Sequence, residues 1–221
     1  MSILFVLFTF LIVIAVNYFY FQVPQGQPLE TAVSVRPKAP VMAKEAGFAI
    51  PQGYAFHPGH TWVLREKGDD ARIGLDKFAA DLAGKIDRIE VADLSRWIRQ
   101  GQPLVTVHSG ETSFDLLSPV EGVIMAVNDD VVKNPSLATA DPYKDGWIAM
   151  LRSPDLKTNT RNLLQGPMVA PWMHYSMSRL KEACASINPA LAQDGGEMLS
   201  DVLPRIEPKL RMKLIKEFFL N

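Results

Sequence analysis

The chain has 221 residues and carries 23 Lys and Arg against 24 Asp and Glu, so its formal net charge is -1. This balance excludes a protein that binds nucleic acid through bulk positive charge. Cys184 is the single cysteine, which excludes an internal disulfide and favours a reducing compartment. The length accommodates one domain of ordinary size with an extension at either end.

The first predicted element is an uncharged apolar run from Ile3 to Phe21. At about 1.5 Å per residue, a helix of this length crosses a hydrocarbon core of roughly 30 Å, so we predict a transmembrane anchor over 1–22. A cleaved signal peptide and a buried helix are the alternatives, but no basic segment precedes the run and no small-residue cleavage site follows it. Because Arg36, Lys38 and Lys44 lie after the run, the positive-inside rule predicts a cell-membrane protein with a cytoplasmic body.

Residues 23–52 form a proline-rich segment. Its prolines are Pro24, Pro28, Pro37, Pro40 and Pro51. This spacing is too close for a helix or a paired strand, so we predict an extended linker. Such a segment spans up to about 3 Å per residue and could hold the next domain clear of the bilayer or lie along a partner's surface.

Residues 53–153 alternate short apolar runs with turn residues. Trp62–Leu64 and Ala71–Gly74 flank a polar turn and predict a hairpin, after which Asp76 is placed to cap a short helix that ends before Gly84. Further strands are predicted at Lys85–Val91, Leu104–Ser109, Thr112–Leu117, Val123–Val127 and Trp147–Leu151. Many short strands at this spacing predict a mainly β domain, either a small barrel or a sandwich.

Residues 154–221 read as a helical C-terminal extension. An apolar stripe of helical spacing consists of Met173, Met177, Leu180, Cys184 and Ile187, and we interpret it as core. Asp194–Gly196 interrupts the helical pattern. The last helix, from about Pro208 to Leu220, is amphipathic and basic. It could pack on its own domain, enter a partner's groove or lie on an anionic membrane surface, and we include Lys213 and Phe218 among candidate interface residues.

Several stretches in the middle of the chain follow one another in an order shared with a known family. They are His60–Val63, Ile73–Ala79, Ile89–Val91, Gly101–Leu104, Ser118–Gly122, Val127–Asn128 and Asp141–Trp147. In this order and spacing, the chain from Tyr54 to about Leu180 resembles the H protein of the glycine cleavage system, a relative of lipoyl domains. The resemblance implies a domain of the barrel-sandwich hybrid type that carries lipoate on a lysine.

The lysine that the resemblance implies is missing. In the family it lies at the tip of a tight turn, and the matching stretch here is His108–Thr112, which places Glu111 at the lysine position. No lysine occurs between Lys85 and Lys133. Because a carboxylate cannot form the amide that holds lipoate, we expect a non-catalytic protein without a cofactor.

Two groups of polar residues were weighed as sites of other chemistry. His108, Glu111 and Asp115 are close enough in sequence for an acid-base or metal site, but a hairpin tip need not bring them together, and a solvated tip is the favoured interpretation. His57 and His60 lack further ligands at metal-binding spacing. His60 also matches a family histidine, which favours a structural role, and no metal is predicted.

The segment Arg96–Arg99 is the stronger functional candidate. Its Ile98 can supply an inward aliphatic side chain, which leaves Trp97 pointing outward between Arg96 and Arg99. Trp and Arg are enriched at interface hot spots, so we predict a docking patch; the alternative is that Trp97 folds back onto its own domain.

These features favour an accessory or scaffolding subunit of a larger membrane complex, which binds protein partners through a degenerate H-protein-like domain. By analogy alone, the complex could be respiratory or photosynthetic. The alternative is a lipoyl-type carrier or regulator related to glycine cleavage, for example one that binds lipoate or a lipoylated partner without a covalent bond.

Overall fold

A computed structural model of the protein describes residues 42–45, 48–185 and 202–220. Within these ranges no helix is both long enough and apolar enough to cross a membrane. The predicted anchor at 1–22 lies outside them, as does the linker up to residue 41.

Short strands dominate the first two thirds of the described chain, and helices follow. The strands are β1 (Met42–Glu45), β2 (Phe48–Pro51), β3 (Tyr54–Phe56), β4 (Thr61–Arg65), β5 (Asp70–Leu75), β6 (Arg88–Val91), β7 (Trp97–Ile98), β8 (Pro103–Ser109), β9 (Thr112–Leu117), β10 (Gly122–Val127) and β11 (Ala149–Arg152). The helices are α1 (Lys77–Ala83), α2 (Asp129–Lys133), α3 (Ser136–Ala140), α4 (Leu156–Arg161), α5 (Val169–Ala185, preceded by a 3-10 turn at Gly166–Met168), α6 (Val202–Arg205) and α7 (Pro208–Phe219). The predicted mainly β body is confirmed.

The strands form a six-stranded sheet of order β3-β4-β5-β11-β10-β7, a three-stranded sheet of order β6-β8-β9 and the pair β1-β2. All of the pairings are antiparallel. On β8 and β9, buried and more exposed residues alternate, which places one face of the three-stranded sheet on the core and turns the other toward solvent.

The structure differs from the predicted extended linker at the end of residues 23–52. Met42 pairs with Pro51 and Glu45 with Phe48, so this part of the segment is a hairpin. The physical reason is that no proline lies between Pro40 and Pro51, which leaves backbone N–H groups free to pair. Pro51 is tolerated because it lies at the end of its strand.

The predicted hairpin and capped helix are confirmed. β4 pairs with β5, with Trp62 opposite Gly74. Asp76 caps α1, since its carboxylate accepts a hydrogen bond from the Ala79 N–H at 2.8 Å. Gly84 follows the helix with φ 66°, a backbone conformation that favours glycine.

The predicted strands in the middle of the domain are also found, with shifted ends. β6 begins at Arg88 rather than at Lys85, and β11 begins at Ala149 rather than at Trp147. β9 has the predicted bounds. The short strand β7, which includes Trp97, was not predicted as a strand because two residues are too few for an alternating pattern.

The C-terminal helices pack on the β body. On α5, Met173, Leu180 and Cys184 are buried, in agreement with the core interpretation of the stripe, while Ile187 and the break at 194–196 lie outside the described residues. α7 packs on its own domain, where the ring of Phe219 stacks on Phe114 at a centroid distance of 4.1 Å.

Phe218, which we included as an interface residue, is instead buried at 4% exposure. It packs edge-on against Phe78 at a centroid distance of 5.0 Å. In the sequence it is one of several apolar residues on an amphipathic helix, and only the tertiary packing decides which of them remain outside. Lys213 is exposed.

Candidate functional site

The β8–β9 hairpin ends in a tight turn at Gly110 and Glu111. Gly110 adopts φ 59°, the left-handed conformation that two-residue hairpin turns require and that glycine adopts without steric cost. Glu111 follows it and is exposed at the tip. At the base of the turn, the buried Ser109 hydroxyl donates to the Ala83 carbonyl at 3.2 Å.

Two further side chains hold this turn in place from opposite sides. The Gly110 N–H donates to the Asp87 carboxylate at 2.8 Å, and this hydrogen bond, followed by the nearby Lys85 ammonium, lowers the pKa of Asp87. On the other side, the Arg211 guanidinium donates to the Thr112 hydroxyl at 2.9 Å and to the Ile206 carbonyl at 3.0 Å. The tip therefore has a defined orientation although it is exposed.

His108, Glu111 and Asp115, considered as a possible acid-base or metal site, are not brought together. The His108 Nε2 lies 3.6 Å from the Glu90 carboxylate. Asp115 accepts a hydrogen bond from the Thr106 hydroxyl at 2.7 Å, and Glu111 is at the tip. Among the described residues, no group of three or more His, Cys, Asp or Glu side chains is arranged to hold a metal ion.

Trp97 lies on the surface, as the sequence predicts. It is 45% exposed, whereas the adjacent Ile98 is 1% exposed. Arg96 and Arg99 are exposed on either side of it. The predicted arrangement, with the aliphatic side chain inward and the aromatic one outward between two arginines, is therefore present.

The structure adds two apolar residues to this surface that the sequence interpretation missed. Leu94 is 60% exposed and Met125 is 36% exposed. Trp97 pairs with Val123 on β10, and the Ser95 N–H donates to the Ile124 carbonyl. Leu94, next to Ser95, and Met125, next to Ile124, therefore lie close to Trp97 along β7 and β10. The exposed surface formed by Leu94, Arg96, Trp97, Arg99 and Met125 is called the Trp97 patch below. Alternation along β10 could have indicated Met125, whereas Leu94 lies in a turn without a pattern.

A groove borders the Trp97 patch. Its volume is about 370 Å³, and it is lined by Glu90–Ala92, Arg96, Ile98 and Gln102–Thr106. One wall thus comes from the six-stranded sheet and the other from the three-stranded sheet. Arg96 is the residue that the groove shares with the Trp97 patch, and a groove of this size can receive a partner's side chain or extended segment.

Some of the stretches that carry the family resemblance contribute to a buried aromatic cluster. The Trp62 indole N–H donates to the carbonyls of Leu75 and Pro142, at 2.8 and 3.1 Å. The Tyr54 hydroxyl donates to the Tyr143 carbonyl at 2.7 Å, and burial raises the pKa of Tyr54 to about 12. These groups hold β3 and β4 against the segment before β11, and none of them is placed for chemistry with solvent.

His60 belongs to the same buried region, which agrees with its predicted structural role. Its ring is stacked between Phe78 and Trp172, at centroid distances of 4.3 and 4.6 Å. Its Nδ1 lies 2.8 Å from a carboxylate oxygen of Asp76. The imidazole is thus held by packing on both faces and by the residue that caps α1.

His57 lies on the turn that leads to His60. Its Nδ1 accepts a hydrogen bond from the Gly59 N–H at 3.0 Å, which requires an unprotonated nitrogen. Burial, together with the charge of the neighbouring His60, lowers the pKa of His57. Both observations favour the neutral imidazole and a structural role.

A family model described as glycine cleavage H-protein matches residues 54–173. The chain belongs to this family. The glycine cleavage system H protein of Magnetococcus marinus is 35% identical to it over 107 residues, which are 48% of this chain and 76% of that protein. The H protein of Thermus thermophilus is 34% identical over 107 residues, 48% of this chain and 83% of that protein. The fold of the β body is therefore H-protein-like, as predicted.

Among solved structures, the glycine cleavage system H protein of Mycobacterium marinum aligns with a TM-score of 0.44 and 24% sequence identity, over 48% of this chain and 87% of that chain. The family match begins at Tyr54 in β3 and continues past Arg152, the end of β11, to Met173 in α5. The H-protein domain thus contains the aromatic cluster, the hairpin tip and the Trp97 patch, whereas α6 and α7 follow it.

Proposed function

We propose that this chain is a membrane-anchored, non-catalytic accessory subunit whose H-protein domain, a barrel-sandwich hybrid, binds protein subunits of a larger membrane complex. The anchor is the apolar run Ile3–Phe21, and the basic residues after it favour a cytoplasmic domain. The observation that carries the proposal is the combination of an exposed Trp97 patch with a carrier hairpin whose tip offers a carboxylate.

The hairpin tip supports a role without covalent carriage of lipoate. A carrier needs a primary amine at the tip, and the exposed side chain there is that of Glu111. No lysine occurs on β8, β9 or the turn between them. The turn is nevertheless held by Asp87 and Arg211, so its conformation does not depend on a lysine that carries lipoate.

The Trp97 patch supports a role in protein binding. Exposed large apolar side chains are costly to hydrate, and three of them, Leu94, Trp97 and Met125, lie on neighbouring stretches at β7 and β10. The flanking Arg96 and Arg99 can form charge-assisted hydrogen bonds with a partner's carboxylates or carbonyls. An aromatic anchor with arginines around it is the usual composition of an interface hot spot.

Exchange of Trp97 for alanine in the full-length protein tests the proposal. A pull-down from mild detergent is expected to lose the partner by about tenfold or more, since truncation of a hot-spot tryptophan costs on the order of 2 kcal/mol or more of binding free energy. Tyr175→Ala is the matched control, because Tyr175 is an aromatic residue of α5 that is 65% exposed. Retention of every partner by folded Trp97→Ala protein would remove the basis of the proposal.

A lipoyl-type carrier or regulator related to glycine cleavage is the second candidate. The well-supported turn at Gly110 favours it, because that shape is the part of a carrier that presents an acyl group. Intact-mass measurement of the full-length protein from a lipoate-containing host separates the two functions. The accessory function predicts the unmodified mass, whereas a lipoyl adduct on any lysine would establish the carrier instead.

A further inference from the structure

The C-terminal helix α7 presents two faces of different chemistry. Its inner face buries Leu214, Ile215, Phe218 and Phe219 against the domain, and the stacking of Phe219 on Phe114 fixes the rotation of the helix. The outer residues of the helix occur at intervals of three, four and seven positions from the first, which is one face of an α-helix. This face consists of Lys209, Met212, Lys213 and Lys216. Together with Leu220, which follows the helix in a left-handed conformation, it is called the basic stripe below, and all five residues are exposed.

The basic stripe carries three lysines and no acidic side chain. Glu217 lies on the helix beside it, but its carboxylate accepts a hydrogen bond from Arg179 at 2.8 Å. Asp115 borders Lys216 across a cleft of about 180 Å³ between α7 and β9, and accepts a hydrogen bond from Thr106. The surface that α7 turns to solvent therefore carries a net positive charge, with three lysines against the carboxylate of Asp115.

The apolar members distinguish the basic stripe from an ordinary solvated helix face. Met212 is 52% exposed and lies between Lys209 and Lys213, and Leu220, which follows the end of the helix, is 49% exposed. The outer face of α5 differs, because there a carboxylate accompanies the basic residues and Arg179 pairs with Glu182 at 3.0 Å. Lysines beside exposed apolar side chains can bind an anionic lipid surface, where the lysine stems lie along the interface and the ammonium groups reach the phosphates.

We infer that the basic stripe binds the headgroup surface of a bilayer that contains anionic phospholipids. Each lysine close to such a surface increases binding about fivefold, so three lysines give roughly 100-fold. An increase of this size gives only weak membrane binding for a protein free in solution. A membrane anchor on the same chain raises the effective concentration of the lipid surface around the basic stripe. The inference rests on the proposed anchor, whereas the charge and exposure of the stripe are independent of it.

The test uses the full-length chain reconstituted in vesicles of phosphatidylcholine, with or without phosphatidylglycerol. Amine acetylation followed by peptide mass spectrometry measures the reaction rate of each lysine, with the exposed Lys67 and Lys157 as internal references. Lys209, Lys213 and Lys216 are expected to react several-fold more slowly in anionic vesicles only, and high salt is expected to abolish the protection.

Charge reversal provides the matched pair of variants. Lys213→Glu is expected to restore fast acetylation of Lys209 and Lys216, whereas Lys181→Glu on the outer face of α5 leaves their protection intact. Equal rates in the two kinds of vesicle overturn the inference, as does protection that requires an added acidic protein. Failure of the chain to float with neutral vesicles contradicts the anchor alone, since co-sedimentation with anionic vesicles still measures binding by the stripe.

Discussion

The buried aromatic cluster contains stretches that carry the family resemblance, whereas the β8–β9 hairpin tip has Glu111 where the resemblance predicts a lysine. Around Trp62 and His60, the side chains themselves are engaged, with hydrogen bonds at 2.8 Å and rings stacked on both faces of the imidazole. At the tip, the backbone turn is held by Asp87 and Arg211, while the outward side chain is a carboxylate.

The two regions differ in how many neighbouring groups constrain each side chain. A buried side chain is constrained by every neighbour it touches, so its replacement changes stability. An exposed side chain at a hairpin tip has few neighbours, and its replacement changes function while the fold remains. A change at Glu111 is therefore expected to leave the fold of the H-protein domain intact.

Loss of Asp76 tests the buried side of this comparison with the largest expected effect. Asp76→Ala removes the cap of α1 and leaves the His60 imidazole without its buried partner. We expect a loss of about 2–4 kcal/mol in the free energy of unfolding, as the sum of a lost cap and an unsatisfied polar group. Chemical denaturation measures it, with the exposed Asp93→Ala as control, expected within about 0.5 kcal/mol. Equal losses in both variants would contradict the assigned role.

The protonation of His57 sharpens the comparison with a smaller effect. Burial lowers its pKa from the ordinary value of 6.5, so the unfolded chain binds a proton more readily than the folded one. Its contribution to stability is thus complete above pH 6.5 and declines as the pH falls below that value. Denaturation at several pH values should show a shallower acid slope for His57→Gln, with His174→Gln as the matched loss of an exposed histidine. An unchanged slope in His57→Gln would refute the prediction.

Glu111→Lys tests the exposed side, with the smallest expected effect on stability. Because Glu111 is exposed at the tip, the variant should unfold within about 0.5 kcal/mol of the natural protein. If the turn keeps the shape of a carrier, a host that attaches lipoate should form an amide with the new lysine, which intact mass detects. Ser113→Lys places an amine on the strand instead and should stay unmodified. A folded but unmodified Glu111→Lys protein would show that the tip no longer has the carrier's shape.

Local signals in the sequence were sufficient for much of the fold. Asp76 and Gly84 mark the start and end of α1 because both act on backbone groups within four residues of themselves. The alternation from Thr112 to Leu117 predicts β9 with its observed bounds, since a strand with one buried face has a period of two. The outward position of Trp97 followed from the adjacent inward Ile98.

The candidate site depends more on contacts between distant parts of the chain. Arg211 supports the hairpin tip through Thr112, which is 99 positions earlier in the sequence. The pairing of β1 with β2, the burial of Phe218 and the grouping of Leu94 with Trp97 likewise depend on which surfaces meet.

The sequence by itself determined the family and the absence of a lysine from Ile86 to Val132, because both are matters of residue order. Tertiary structure alone decided which apolar residues stay outside and which side chains hold the tip. The physical reason is that burial depends on the surfaces that other elements present, and a local pattern contains no information about them.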